Sequence, residues 1–134
     1  MKITWSKALK LIDQFLNQRR NELDKIDFVV GVSRGGLIPA TIIATATDKP
    51  LVTVYIDKQD RVYIDRGKWL KGQRILLIDD IVRTGKTFSK MYDLVLKQEP
   101  KSIKSFTLFC QRGASRKPTW SELIMTDRSF PWDI

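Results

Sequence analysis

The sequence predicts an α/β protein in which helices flank an open, mostly parallel sheet. Three observations predict it. Short runs rich in Val, Ile and Leu alternate along the chain with segments of helical periodicity. These runs are apolar at consecutive positions, as strands covered on both faces are. Two of them lead through glycine-containing loops into a helix, at Ser33 to Gly36 and at Asp79 to Thr87. The 134 residues are read as one domain, residues 1–134, a length that suits a single core.

The first helix is expected from Thr4 to about Arg20, with Thr4 as N-cap and Ala8, Leu9, Ile12, Phe15 and Leu16 at i, i+3, i+4 spacing. Asp27 to Val32 is the first buried strand. Leu37 to Thr47 is the second helix: Pro39 falls in its first turn, where its missing amide costs nothing, and Ile42, Ile43 and Ala46 point inward. Leu51 to Ile56 is the second strand, followed by the polar stretch Asp57 to Lys71, in which Val62, Tyr63 and Ile64 form a small hairpin arm. Arg74 to Ile78 is the third strand, and a helix from about Thr84 to Gln98 is closed by Pro100. Ile103 to Phe109 and the weaker Glu122 to Met125 complete the sheet, separated by the basic loop Gln111 to Pro118.

Composition narrows the function classes. Apolar residues make up 43% and charged residues 29%, which fits a folded soluble chain and excludes disordered and fibrous classes. No run approaches the roughly 18 apolar residues that span a bilayer. The start Met1 to Ser6 lacks a secretory apolar segment. The expected compartment is therefore the cytoplasm, with no membrane partner. The single cysteine, Cys110, lies in an apolar run and reads as a buried thiol. The formal charge of +9 favours anionic partners without separating phosphorylated metabolites from nucleic acid. With no histidine, the chemistry falls to carboxylates, amines, guanidinium groups and the backbone.

Ile75-Leu-Leu-Ile-Asp-Asp-Ile-Val-Arg-Thr-Gly-Lys-Thr87 is the strongest signal. Carboxylates at the end of a strand accept hydrogen bonds from vicinal ribose hydroxyls or ligate a hard cation, and the amides and hydroxyls that open the next helix cradle a phosphate. The alternative is a solvated Asp79–Asp80 pair with Thr84 as a plain helix cap. A Walker A loop is excluded, because Asp80 stands where that motif needs its first glycine. The second signal is Val30-Gly-Val-Ser-Arg-Gly-Gly36. Its glycines allow close backbone approach to a ligand, and Arg34 can grip a diphosphate with a charge-assisted fork. Both loops fall at the same edge of adjacent parallel strands, where open α/β sheets bind ligands.

These segments resemble a type I phosphoribosyltransferase, and Ile75 to Thr87 is similar to that family's phosphoribosyl-diphosphate motif. Ile3-Thr-Trp-Ser, Val32-Ser-Arg-Gly-Gly-Leu-Ile-Pro39 and Phe130-Pro-Trp-Asp133 resemble, in order, segments of its xanthine-guanine branch, so the likeness covers nearly the whole chain. The resemblance implies that family's fold with a short or absent hood. It implies transfer of 5-phosphoribosyl from phosphoribosyl diphosphate to a nucleobase, with a purine as acceptor, in nucleotide salvage. Arg34, Asp79 and Asp80 become the catalytic set. Ser33, Arg34, Gly35 and Gly36 take the diphosphate, Asp79 and Asp80 the ribose hydroxyls, and Arg83, Thr84, Gly85, Lys86 and Thr87 surround the 5′-phosphate. Magnesium is the implied cofactor, at Asp80, and Asp57 to Lys71 matches the family's mobile loop. A homodimer or higher homo-oligomer is implied, and nucleic acid is not an expected partner.

The departures cluster on the acceptor side. Purine-specific members usually carry an aspartate where this chain has Arg83, and an arginine stays protonated and cannot accept a proton. Asp127 or Arg128 replaces the aromatic residue that stacks on the base. Gln111, Arg112, Trp132 and Asp133 are the base-binding candidates, Trp132 serving either to close over a base or to pin the C-terminal segment. The alternative function is a regulatory protein that binds a nucleotide or phosphoribosyl diphosphate without turning it over.

Overall fold

Thr4 opens the first helix: its Oγ1 accepts a hydrogen bond from the Lys7 amide at 3.1 Å, and α1 runs from Trp5 to Gln18. The computed structural model describes residues 1–133. Ala8, Ile12 and Phe15 are buried, but Leu9, expected inward, is 46% exposed. It follows Ala8 by about 100° around the helix, so burying Ala8 turns Leu9 outward. A short helix absent from the sequence reading, α2 (Arg20–Asp24), adds Leu23 to the core.

The remaining elements are β1 (Phe28–Ser33), α3 (Leu37–Thr47), β2 (Leu51–Ile56), β3 (Val62–Ile64), a 3-10 turn (Gly67–Leu70), β4 (Arg74–Val82), α4 (Lys86–Leu96), β5 (Ser102–Gln111) and β6 (Trp120–Ile124). They form one six-stranded sheet in the order β3-β2-β1-β4-β5-β6. Only the β2–β3 pair, the expected hairpin arm, is antiparallel. One face is covered by α1 and α3, where Ile12, Phe15, Ile43, Leu76 and Phe106 pack with the fully buried Phe130. The other is covered by α4, where Phe88, Met91 and Val95 meet Val30, Val52 and Leu77. Cys110 is buried in this second core.

Three expectations need correction. On α3 the buried stripe is Ala40, Ile43 and Ala44, while Ala46 is exposed on the far side. The third strand does not stop at Ile78 but runs on to Val82. Strand β1 pairs with β4 only as far as Gly31 opposite Ile78, whereas β5 continues through Asp79 opposite Thr107 to Val82 opposite Cys110. Asp79 and Asp80 therefore lie in a strand extension that pairs with β5 and not with β1. The helix after it begins at Lys86, not Thr84, because Gly85 adopts a left-handed φ of 94°.

Asp27 ties the start of β1 to the start of β4. Its Oδ2 accepts the Arg74 amide at 2.8 Å, while its own amide donates to the Arg74 carbonyl at 2.8 Å. The Arg74 amide holds the Asp27 carboxyl below the usual carboxylate range. The side chain is 34% exposed, so its 3.4 Å ion pair with the Arg74 guanidinium adds little and the hydrogen bond to the amide dominates. A carboxyl depressed by folding stabilises the fold above its unfolded pKa of about 3.9 and loses that contribution as pH falls through the lower folded value. Asp27→Ala is expected to cost on the order of 1 kcal/mol at pH 7. In thermal melts, its deficit relative to the parent protein shrinks below about pH 4.

Candidate active site

Strands β1 and β4 are adjacent and parallel, so their following loops emerge at one sheet edge. The first loop closes as a turn, with the Gly36 amide on the Val32 carbonyl at 2.8 Å and the Leu37 amide on the Arg34 carbonyl at 3.1 Å. It lies directly on β4. A Cβ at Gly36 would fall 2.6 Å from the Ile78 carbonyl oxygen and 2.8 Å from Asp79 Cα, and one at Gly35 would collide with the Asp80 carboxylate. The two motifs separated in sequence are thus in van der Waals contact, through glycines that leave room for it.

Both carboxylates are half-buried. Asp79 Oδ1 accepts the Asp80 amide at 2.8 Å, and Asp80 Oδ1 accepts the Ile81 amide at 2.8 Å. Asp80 Oδ2 accepts the Trp132 indole N–H at 3.2 Å. Burial, then the charge of Asp80, pushes the Asp79 carboxyl well above the usual range; burial also raises Asp80, against the hydrogen bond from Trp132. Two crowded carboxylates of this kind are stabilised by hydroxyl donors or a cation brought to them. Among the described residues no third Asp, Glu, His or Cys joins them as a metal ligand. So sparse a set of hard oxygen donors fits magnesium, which keeps several waters and shares phosphate oxygens of its substrate.

A cleft of about 300 Å³ is lined by Asp79, Asp80, Arg83, Thr84, Gly85 and Thr87, among others. Thr84 Oγ1 accepts the Lys86 amide at 3.2 Å, shaping the entry to α4. Ser115, missed in the sequence, clamps this loop from the basic segment: its amide and Oγ donate to the Thr84 carbonyl at 2.7 and 3.0 Å. A second cleft of about 450 Å³ is lined by Arg34, Gly35, Ile38, Trp132 and Asp133. Asp80, in the wall of the first cleft, touches Gly35 and Trp132, two residues that line the second.

Most of the expected site residues gather here. Ser33 and Gly36 hold the loop without lining either cleft, and Lys86 is exposed beside the first. Gln111 ends β5 and Arg112 follows it, its amide donating to the Ile124 carbonyl at 2.9 Å, and they line neither cleft. Arg83 does not stand alone: its Nε donates to Asp127 Oδ1 at 2.8 Å and its Nη2 to the Arg128 carbonyl at 3.4 Å. Asp133 Oδ2 accepts the Phe130 amide at 2.7 Å, closing the turn that carries Trp132. A further cleft of about 500 Å³, between α1 and β6, contains none of these residues. No described helix is long and apolar enough to cross a membrane.

Comparison with known proteins points to one group. The family described as phosphoribosyl transferase domain matches residues 4–133. The solved purine phosphoribosyltransferase of Pyrococcus horikoshii superposes with a TM-score of 0.86 at 29% identity, covering 98% of this chain and 92% of that one. The xanthine-guanine phosphoribosyltransferase of Desulfotalea psychrophila is 32% identical over 122 residues, covering 83% of this chain and 74% of the relative. The orotate phosphoribosyltransferase of Bartonella bacilliformis is 27% identical over 96 residues, covering 71% of this chain. The chain spans only 49% of that relative's length.

Proposed function

We propose, since the chain belongs to the phosphoribosyl transferase domain family, that it moves a 5-phosphoribosyl group from phosphoribosyl diphosphate to a ring nitrogen of a nucleobase, with a purine as acceptor. The observation that carries this is the contact of Gly35 with Asp80, which joins a diphosphate loop and a carboxylate pair in one site. Asp79 and Asp80 accept hydrogen bonds from the ribose hydroxyls, and the amides and hydroxyls of Thr84 to Thr87 take the 5′-phosphate at the start of α4. Arg34 faces the diphosphate and stabilises it as it leaves. As the C1–O bond breaks, positive charge develops on the ribose ring, and the nearby carboxylates lower its energy. Asp80 would hold magnesium, which would supply further charge neutralisation to the diphosphate. The segment Asp57 to Lys71, which carries β3, is the one we assign to closing over the site and excluding water. Its tip is organised by Asp57, whose Oδ1 accepts the Gln59 and Arg61 amides, both at 2.9 Å.

A purine is supported by the Pyrococcus horikoshii enzyme, whose chain is matched almost end to end, while the orotate enzyme of Bartonella bacilliformis is matched over about half its length. A second reading, binding of phosphoribosyl diphosphate without transfer, is favoured by Arg83, which occupies the cleft wall with a group that cannot accept a proton. The test is diphosphate release from phosphoribosyl diphosphate and magnesium with guanine, hypoxanthine, xanthine, adenine, uracil or orotate. Release with one or more purines is the expected result. Release with orotate alone replaces the acceptor, and binding with no release on any base favours the second reading.

A further inference from the structure

We infer that Trp132 is a positioning residue, whose indole N–H fixes the orientation of the Asp80 carboxylate toward the ligand. The inference rests on the proposed function of the same site. The Trp132 indole N–H donates to Asp80 Oδ2 at 3.2 Å, reaching across 52 positions of sequence. The other Asp80 oxygen is held by the Ile81 amide, and Gly35 lies against the carboxylate, so its rotation is blocked while the indole bond stands.

The indole is itself held rigidly. One face stacks on Phe130, with ring centroids 4.9 Å apart and planes 7° from parallel. Trp5 leans against the ring at 5.6 Å and 60°. Phe130 is fully buried, and Asp133 accepts its amide to close the turn. The same segment is fastened to the N-terminus by the Ile3 amide on the Ser129 carbonyl at 2.8 Å, and to the phosphate loop by the Arg83–Asp127 pair. A donor on so fixed a support pre-orders a ligand-binding carboxylate without itself touching the ligand. With one face covered, the ring serves mainly as anchor for its N–H.

The test separates the N–H from the ring. Trp132→Phe keeps an aromatic ring on Phe130 and removes the donor. Benzothienylalanine at position 132 keeps the bicyclic shape with sulfur in place of N–H, and serves if phenylalanine disturbs folding. Affinity for phosphoribosyl diphosphate with magnesium is measured by calorimetric titration, and KM for each substrate by diphosphate release. The expected result is about a ten- to hundredfold loss of affinity for phosphoribosyl diphosphate. KM for the base stays within about twofold, a split that a purely structural role does not produce. Unchanged affinity for phosphoribosyl diphosphate in a folded variant overturns the inference, as does a rise in KM confined to the base, which would make the indole a stacking platform. If the parent protein binds no phosphoribosyl diphosphate, the proposed function falls and the inference with it. Binding by the parent matched by both variants removes the inference alone.

Discussion

Replacing Asp79 and Asp80 together by asparagine is expected to lower the affinity for phosphoribosyl diphosphate about a hundredfold while leaving the fold about as stable as before. A hydrogen bond to a charged group is worth about 1.5 to 3 kcal/mol against about 1 for a neutral one, so the change at two positions amounts to about 1 to 4 kcal/mol, around the roughly 2.7 kcal/mol that a hundredfold represents. The stability half follows from the local geometry. An asparagine oxygen still accepts the Asp80 and Ile81 backbone amides now bound by Asp79 Oδ1 and Asp80 Oδ1. What disappears is the cost of burying two charges and the repulsion that Asp80 adds at Asp79, which offsets the loss of the Trp132 indole bond to Asp80 Oδ2. A carboxyl pair retained at a cost to the fold belongs to a site shaped for a ligand. Titration calorimetry beside thermal melts decides it. Undiminished affinity refutes the placement of the ribose, and a large fall in melting temperature makes the pair structural.

Much of this arrangement was legible in the sequence because it is local. Strands β1 and β2 and helix α3 each pass from a continuous apolar run to a turn, and composition alone marks such segments to within a residue or so. The continuation of β4 to Val82 was not legible, because Asp-Asp looks like a strand end unless it is known that β5 pairs with it and β1 does not. The site divides in the same way. Gly35, Gly36 and the carboxylates announce themselves by residue type beside a strand. The indole bond to Asp80, the Asp127 partner of Arg83 and the Ser115 clamp on Thr84 are products of the fold, spanning 52, 44 and 31 positions. Gln111 and Arg112 came from position in a resemblance. The structure gives them the end of β5, where the backbone of Arg112 pairs with β6.

The neighbouring glycines of the first loop are expected to fail in different ways when each is changed to alanine. Gly36 has φ −77° and ψ −12°, ordinary values for any residue, so its requirement is space and not conformation. The atoms a methyl would meet are the Ile78 carbonyl oxygen at 2.6 Å, the Val32 carbonyl oxygen at 2.7 Å and Asp79 Cα at 2.8 Å. All three belong to the backbone of the two central strands and cannot turn aside, so relief requires lifting the loop off the sheet. Gly36→Ala is therefore expected to destabilise by about 3 kcal/mol. For a chain of this size that lowers the melting temperature by roughly 10 °C. At Gly35 the obstructing atoms are the Asp80 carboxylate, with Cγ 2.6 Å and Oδ1 2.9 Å from the added methyl. A side chain can rotate away, and in doing so it leaves the Trp132 indole and the ligand. Gly35→Ala should therefore keep its melting temperature within a few degrees while losing at least about tenfold in affinity for phosphoribosyl diphosphate. Equal loss of stability in both variants would mean that Asp80 cannot move and that the loop, not the carboxylate, gives way.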